Sequence, residues 1–92
     1  MGRICGIFLL FRNKQTKAAR RQILKLAPLK LAPSDVQVVP KPVDQEELCI
    51  KLLIPGVKTN EEAEKAVNKI WNDSIRVALE AFTYEDITFT IE

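Results

Sequence analysis

Chemistry needs side chains that move protons, bind metal or attack carbon, and this sequence supplies few. It has no histidine, two cysteines (Cys5 and Cys49) and twelve acids. Zinc sites and histidine-based triads are built from residue types that are absent or too few here. The cysteines stand far apart in the chain without a C-x-x-C pair, so they read as small buried hydrophobes. On a strand Lys51 would share the face of Cys49 and could lower its pKa, but a core or sheet-face cysteine beside a snorkelling lysine is the expectation. The acids cluster as Glu46-Glu47, Glu61-Glu62-Glu64 and Glu85-Asp86, at strand starts and in the first turn of a helix. There they solvate the surface and answer the helix dipole. No Gly-Lys-Ser/Thr phosphate loop is present. The expectation is a protein that is not an enzyme, with no catalytic residues, no metal, no cofactor and no small-molecule substrate implied.

Charge is the second source of function. Residues 1–34 hold eight Lys/Arg and no acid, whereas the rest of the chain sets six Lys/Arg against all twelve acids, for a net charge of +2. Lys14, Lys17, Arg21 and Lys25 recur at helical spacing with Arg20 at their margin. Such a stripe either forms a solvated helix face or meets the phosphates of RNA or DNA, binding without sequence preference and weakening with salt. No aromatic is interleaved to stack bases.

These residues need a scaffold, and 92 residues suffice for a single domain over 1–92. The apolar run at 3–11 reads as a strand buried on both faces or nearly so. Asn13 is placed to cap a basic helix over 14–27, which a Pro-rich linker at 28–35 ends. Residues 36–41 form a short stretch closed by Pro40, which suits an edge strand. Residues 47–54 alternate Leu48, Ile50, Leu52 and Ile54 against Cys49, Lys51 and Leu53. Thr59 and Glu62 make a capping box for a helix over 60–82, weakened at Asn72-Asp73-Ser74. Residues 86–92 alternate Ile87, Phe89 and Ile91 against threonines, as a half-buried strand does. Trp71 and Tyr84 read as core or core-edge residues.

The order β-α-β-β-α-β predicts an α+β two-layer sandwich of ferredoxin-like topology with a four-stranded antiparallel sheet. The two most apolar strands, first and third, fall at its centre, and the proline-bearing and threonine-rich strands fall at its edges. A Cys5–Cys49 disulfide is not expected. The rival arrangement makes residues 1–27 one amphipathic helix attached to a ββαβ unit, which would suit an anionic membrane surface through residues 4–27. The apolar run is far short of the ~20 residues a spanning helix needs. Its charges follow rather than precede it, unlike a secretory signal, so a cytoplasmic protein with reduced thiols is expected.

Two enzymatic or binding patterns known on this topology do not fit. Acylphosphatases wrap a phosphate in a glycine-rich loop after the first strand, where this chain has Phe8-Leu9-Leu10 before Arg12. RNA-recognition domains stack bases on aromatics of the first and third strands. Ile7-Phe8-Leu9 offers half of that platform, but residues 47–54 contain no aromatic. The remaining feature is the sheet face that helices leave uncovered, where apolar residues of the first strand would meet water. The expectation is therefore a small binding or regulatory module working through protein contacts. It would self-associate, as a homodimer or larger oligomer, over that face or an edge strand, with Leu9, Phe11, Cys49, Lys51 and Leu53 at the interface. Nucleic-acid backbone binding through Lys14, Lys17, Arg20, Arg21 and Lys25 is the first alternative, and the membrane surface the second.

Overall fold

A computed structural model describes residues 2–12 and 14–92 of the chain. Four antiparallel strands, β1 (Arg3–Arg12), β2 (Val36–Lys41), β3 (Gln45–Ile54) and β4 (Tyr84–Ile91), lie in the order β2-β3-β1-β4. Helices α1 (Thr16–Leu24) and α2 (Asn60–Ile70) cover one face only. This is the expected ferredoxin-like sandwich, with β1 and β3 central. The rival reading, a single amphipathic helix over 1–27, is overturned. An uninterrupted apolar run finds more burial between two strands than along a helix stripe, and β1 sits between β3 and β4. The membrane-surface reading built on that helix loses its element. Among the described residues no helix is long and apolar enough to cross a membrane.

The core is drawn from one parity of each strand. Cys5, Ile7, Leu9 and Phe11 of β1 and Leu48, Ile50, Leu52 and Ile54 of β3 are buried beneath Ala19 and Ile23 of α1 and Ala63, Val67 and Trp71 of the second helix. The second helix does not run straight. Its buried residues Ala63, Val67, Trp71, Ile75 and Leu79 recur every four positions, so on a regular α-helix the stripe would rotate by about 40° per repeat away from the sheet. A π-helical turn at Trp71–Ile75 winds more loosely and holds the stripe on the core. It falls where Asn72-Asp73-Ser74 weakens the helix. Asn72 there donates its side-chain amide to the Asn68 carbonyl (2.9 Å). Helical residues continue only to Ala78, short of the expected 82.

At the front of that helix Thr59 accepts a hydrogen bond from the Glu62 amide (3.1 Å), as a cap should. Glu62 reaches back one residue further than a capping box requires, accepting from the Lys58 amide (3.3 Å). Helix α1 begins at Thr16, later than expected, because Lys14 adopts a positive φ of 59°. The cap expected at Asn13 lies outside the described residues. The helix ends at Leu24 rather than Ala27, as Pro28 disfavours helical geometry in the residue before it and blocks the preceding turn. The stretch expected to be a linker instead forms two short 3₁₀ turns, and Leu26, Leu29 and Leu31 pack against the core.

Arg20 ties this region together, donating to the carbonyls of Val36 (2.7 Å) and Pro33 (2.8 Å). The Val36 carbonyl therefore faces outward from β3, and by alternation Pro40 turns its nitrogen to the same outer edge, where no ladder bond is lost. Thr16, fully buried, donates to Glu46 (2.8 Å) and links α1 to the β3 start. At the hairpin tip Val43 and Asp44 both hold φ at 60°. This left-handed region disfavours a β-branched side chain such as Val43.

Candidate functional site

Sealing one face of the sheet determines the other. In β1 the residues left outside are Ile4, Gly6, Phe8, Leu10 and Arg12, and pairing sets them in rows across the strands. Lys51, Gly6 and Thr90 form one row, and Gln37, Cys49, Phe8 and Thr88 the next. Val39, Glu47, Leu10 and Asp86 form a third. Ile4 and Leu53 stand at one end of the face, Arg12 and Gln45 at the other.

Leu9 and Phe11, expected on this face, are instead fully buried beneath the helices, which corrects that assignment. The strand is apolar on both parities, and the parity that carries Arg12 is the one that can reach water. Phe8 and Leu10 take their place, both half-buried. Cys49, Lys51 and Leu53 do lie on the open face, and Leu53 is 70% exposed, the most exposed large apolar side chain in the sheet.

Gly6 shapes the centre. Phe8 lies over it, so that a Cβ at position 6 would come within 2.8 Å of the Phe8 ring and 2.6 Å of Thr90 Oγ1. An aromatic ring covering a strand glycine restores part of the missing packing. Beside it remains an open hollow of about 290 Å³, bordered by Ile4, Gly6, Phe8, Cys49, Lys51 and Thr90. Charge flanks the central row, with Lys51 on one side and Glu47 and Asp86 on the other. Glu47 pairs with Lys41 at 3.6 Å. Arg12 forms an ion pair with Glu85, which also accepts from Gln45 (3.0 Å). Glu85 is the extra residue where the β1–β4 register shifts, and β4 accordingly starts at Tyr84, before the expected residue 86.

Both thiols are free. Cys5 points into the core and Cys49 to the open face, so the two are on opposite sides of the sheet. Burial pushes the Cys5 thiol up. Burial, with a hydrogen bond from Cys49 Sγ to Glu47 (3.5 Å) and the Glu47 charge, pushes the Cys49 thiol up to about 11. The cation that opposes this is Lys41 and not Lys51. Cys49 is thus the sheet-face cysteine expected from the sequence, in surroundings that favour the protonated thiol over a thiolate.

The basic stripe lies on the helix layer, away from the open face. Lys14, Lys17, Arg21 and Lys25 are exposed and make no ion pair among the described residues. Lys17, Arg20 and Arg21 line a groove of about 600 Å³ along the edge strand, with Val36, Gln37 and Val38 opposite and no acid in its wall. Arg20, counted with the stripe in the sequence, has its guanidinium engaged by two backbone carbonyls and braces the fold.

No protein-family model and no curated protein matches the sequence. Among solved structures, the chain is similar to the C-terminal domain of the MgtC protein from Mycobacterium tuberculosis, known from its solution structure. The identity is 14% and the TM-score 0.55, over 99% of this chain and 88% of that one. At that identity the likeness supports the α+β fold alone.

The Cys49 environment has a measurable consequence. The folded thiol binds its proton more tightly than an ordinary thiol of pKa 9.0, so the contribution of Cys49 to folding stability is constant below about pH 9 and becomes unfavourable as pH rises toward 11. Alkylation of the native protein at pH 8 is expected at Cys49 only and slowly, with Cys5 reacting after denaturation. Replacement of Glu47 by glutamine should accelerate Cys49 labelling severalfold, and mass spectrometry of labelled peptides reads both effects. An unchanged rate in E47Q would contradict the assigned cause.

Proposed function

We propose that this domain is a non-catalytic binding module that works through protein contacts, and that its own second copy occupies the uncovered sheet face. The observation that carries the reading is the apolar content of that face. Ile4, Phe8, Leu10 and Leu53 stand on it with no helix above, and apolar surface gains about 25 cal/mol for each Å² removed from water. Beyond the core-facing parity, nothing in the fold requires four large apolar residues there. The charges among them have both signs, which suits an identical partner better than a uniformly charged one. Two free thiols are consistent with a reducing, cytoplasmic setting.

The wild-type protein should show concentration-dependent association in analytical ultracentrifugation. Leu10→Asp, one row from the centre of the face, should weaken it at least tenfold, with circular dichroism verifying that the variant folds. An association unchanged by this substitution would remove the face from consideration.

A second reading, nucleic-acid backbone binding, rests on the acid-free groove beside α1. With Arg20 engaged, Lys14, Lys17, Arg21 and Lys25 remain for phosphates. Four neutralised phosphates give a log–log salt slope of about −3 to −4. Fluorescence anisotropy with random single- and double-stranded oligonucleotides should show that slope, lost in a K17E/R21E variant. No binding at low salt would leave the stripe as a solvated face.

A further inference from the structure

We infer that two copies pack open face to open face about a twofold axis running across the strands along the Cys49–Phe8 row. The inference rests on the self-association reading and specifies its geometry. Three features of the face select this arrangement over others.

The first is charge. On β3, Lys51 lies two residues to one side of Cys49 and Glu47 two residues to the other. A twofold along the Cys49 row reverses strand direction, so Lys51 of each copy meets Glu47 of the other, twice. On β4 the same operation sets Asp86 opposite Thr90 of the partner, an acceptor opposite a hydroxyl donor. A twofold parallel to the strands would instead set Lys51 against Lys51 and Glu47 against Glu47 if it lay over β3. Midway between β3 and β1 it would set them against Gly6 and Leu10, so that neither charge gains an opposite partner.

The second is shape. Gly6 and Leu10 lie symmetrically about Phe8 on β1. The axis therefore brings the Leu10 side chain of each copy beside the 290 Å³ hollow of the other, whose inner wall is Ile4, Gly6 and Phe8 and whose outer wall holds Lys51, Asp35 and Glu92. Leu10 of each copy thus meets the Phe8 ring that covers Gly6 of the other, next to a recess, and the contact is made twice, as an isologous interface requires.

The third is area. Four strands about 4.8 Å apart and eight residue steps of about 3.3 Å give a flat face of roughly 500 Å² per copy. The roughly 1,000 Å² covered in the pair reaches the lower bound of a specific interface. At a sheet spacing of about 10 Å, Cys49 of each copy faces its mate too distantly for a disulfide.

A charge exchange tests the register. K51E places glutamate opposite Glu47 in the homodimer, and E47K places lysine opposite Lys51. Each variant alone should associate about tenfold more weakly than wild type. An equimolar mixture restores opposite charges at both contacts, so it should associate as heterodimers with wild-type affinity, and the double variant K51E/E47K as homodimers. Sedimentation velocity with one copy fluorescently labelled reads all four, and circular dichroism verifies folding. A wild-type dimer with no rescue in the mixture would overturn this arrangement and leave self-association standing. A wild-type protein that stays monomeric at millimolar concentration would overturn both, and give the face to a different protein.

Discussion

The structure depends on the in–out alternation of its central strand. β1 is hydrogen-bonded on both sides, to β3 and β4, so its register sets every row of the sheet. A shift of one residue would exchange Cys5, Ile7, Leu9 and Phe11 for Ile4, Gly6, Phe8 and Leu10 beneath the helices. That exchange would bring Arg12 to the core side and replace filled positions by a glycine. The helix layer accepts only the first set, and the composition of the open face follows as a consequence. What the sheet leaves uncovered is thus the complement of what its core can use.

Much of the fold was legible because adjacent signals agreed. Proline at position 40 marked an edge, Lys51 fixed the outward parity of β3, and alternating threonines oriented β4. The orientation of β1 was not legible from hydrophobicity, since a run apolar at nearly every position carries no polar contrast. Gly6 and Arg12 held the missing information. They share a parity, neither fills a core, and together they assign Phe8 and Leu10 outward and Leu9 and Phe11 inward. The same reasoning explains Arg20, whose spacing in the basic stripe gave no hint that the start of β2 would claim its guanidinium. Its partners are backbone carbonyls, which have no sequence signature.

The helix layer shows how one irregularity preserves a regular core. A four-residue apolar spacing is incompatible with a long straight α-helix on a flat sheet, and the π-turn at Trp71–Ile75 reconciles the two. Trp71, held there, packs edge-on against Tyr84 and Phe89 of β4, with ring centres at 5.8 and 6.2 Å. This aromatic cluster anchors the edge strand to the helix and leaves the opposite face of that strand to threonines. The two candidate surfaces consequently lie on different layers, with the cationic groove beside α1 and the mixed apolar face beneath the sheet. A pair joined through the sheets would carry its two cationic grooves outward, so the surfaces do not compete.

The most direct test of the central claim follows methyl resonances through dilution. With isoleucine and leucine methyls labelled, spectra from millimolar to low micromolar concentration separate the two parities of one strand. Ile4, Leu10 and Leu53 should shift together along a single association curve, while Ile7, Leu9 and Leu52 stay fixed. Shifts confined to the α1 region, or none on any sheet residue, would contradict the assignment of the uncovered face as the working surface of this protein.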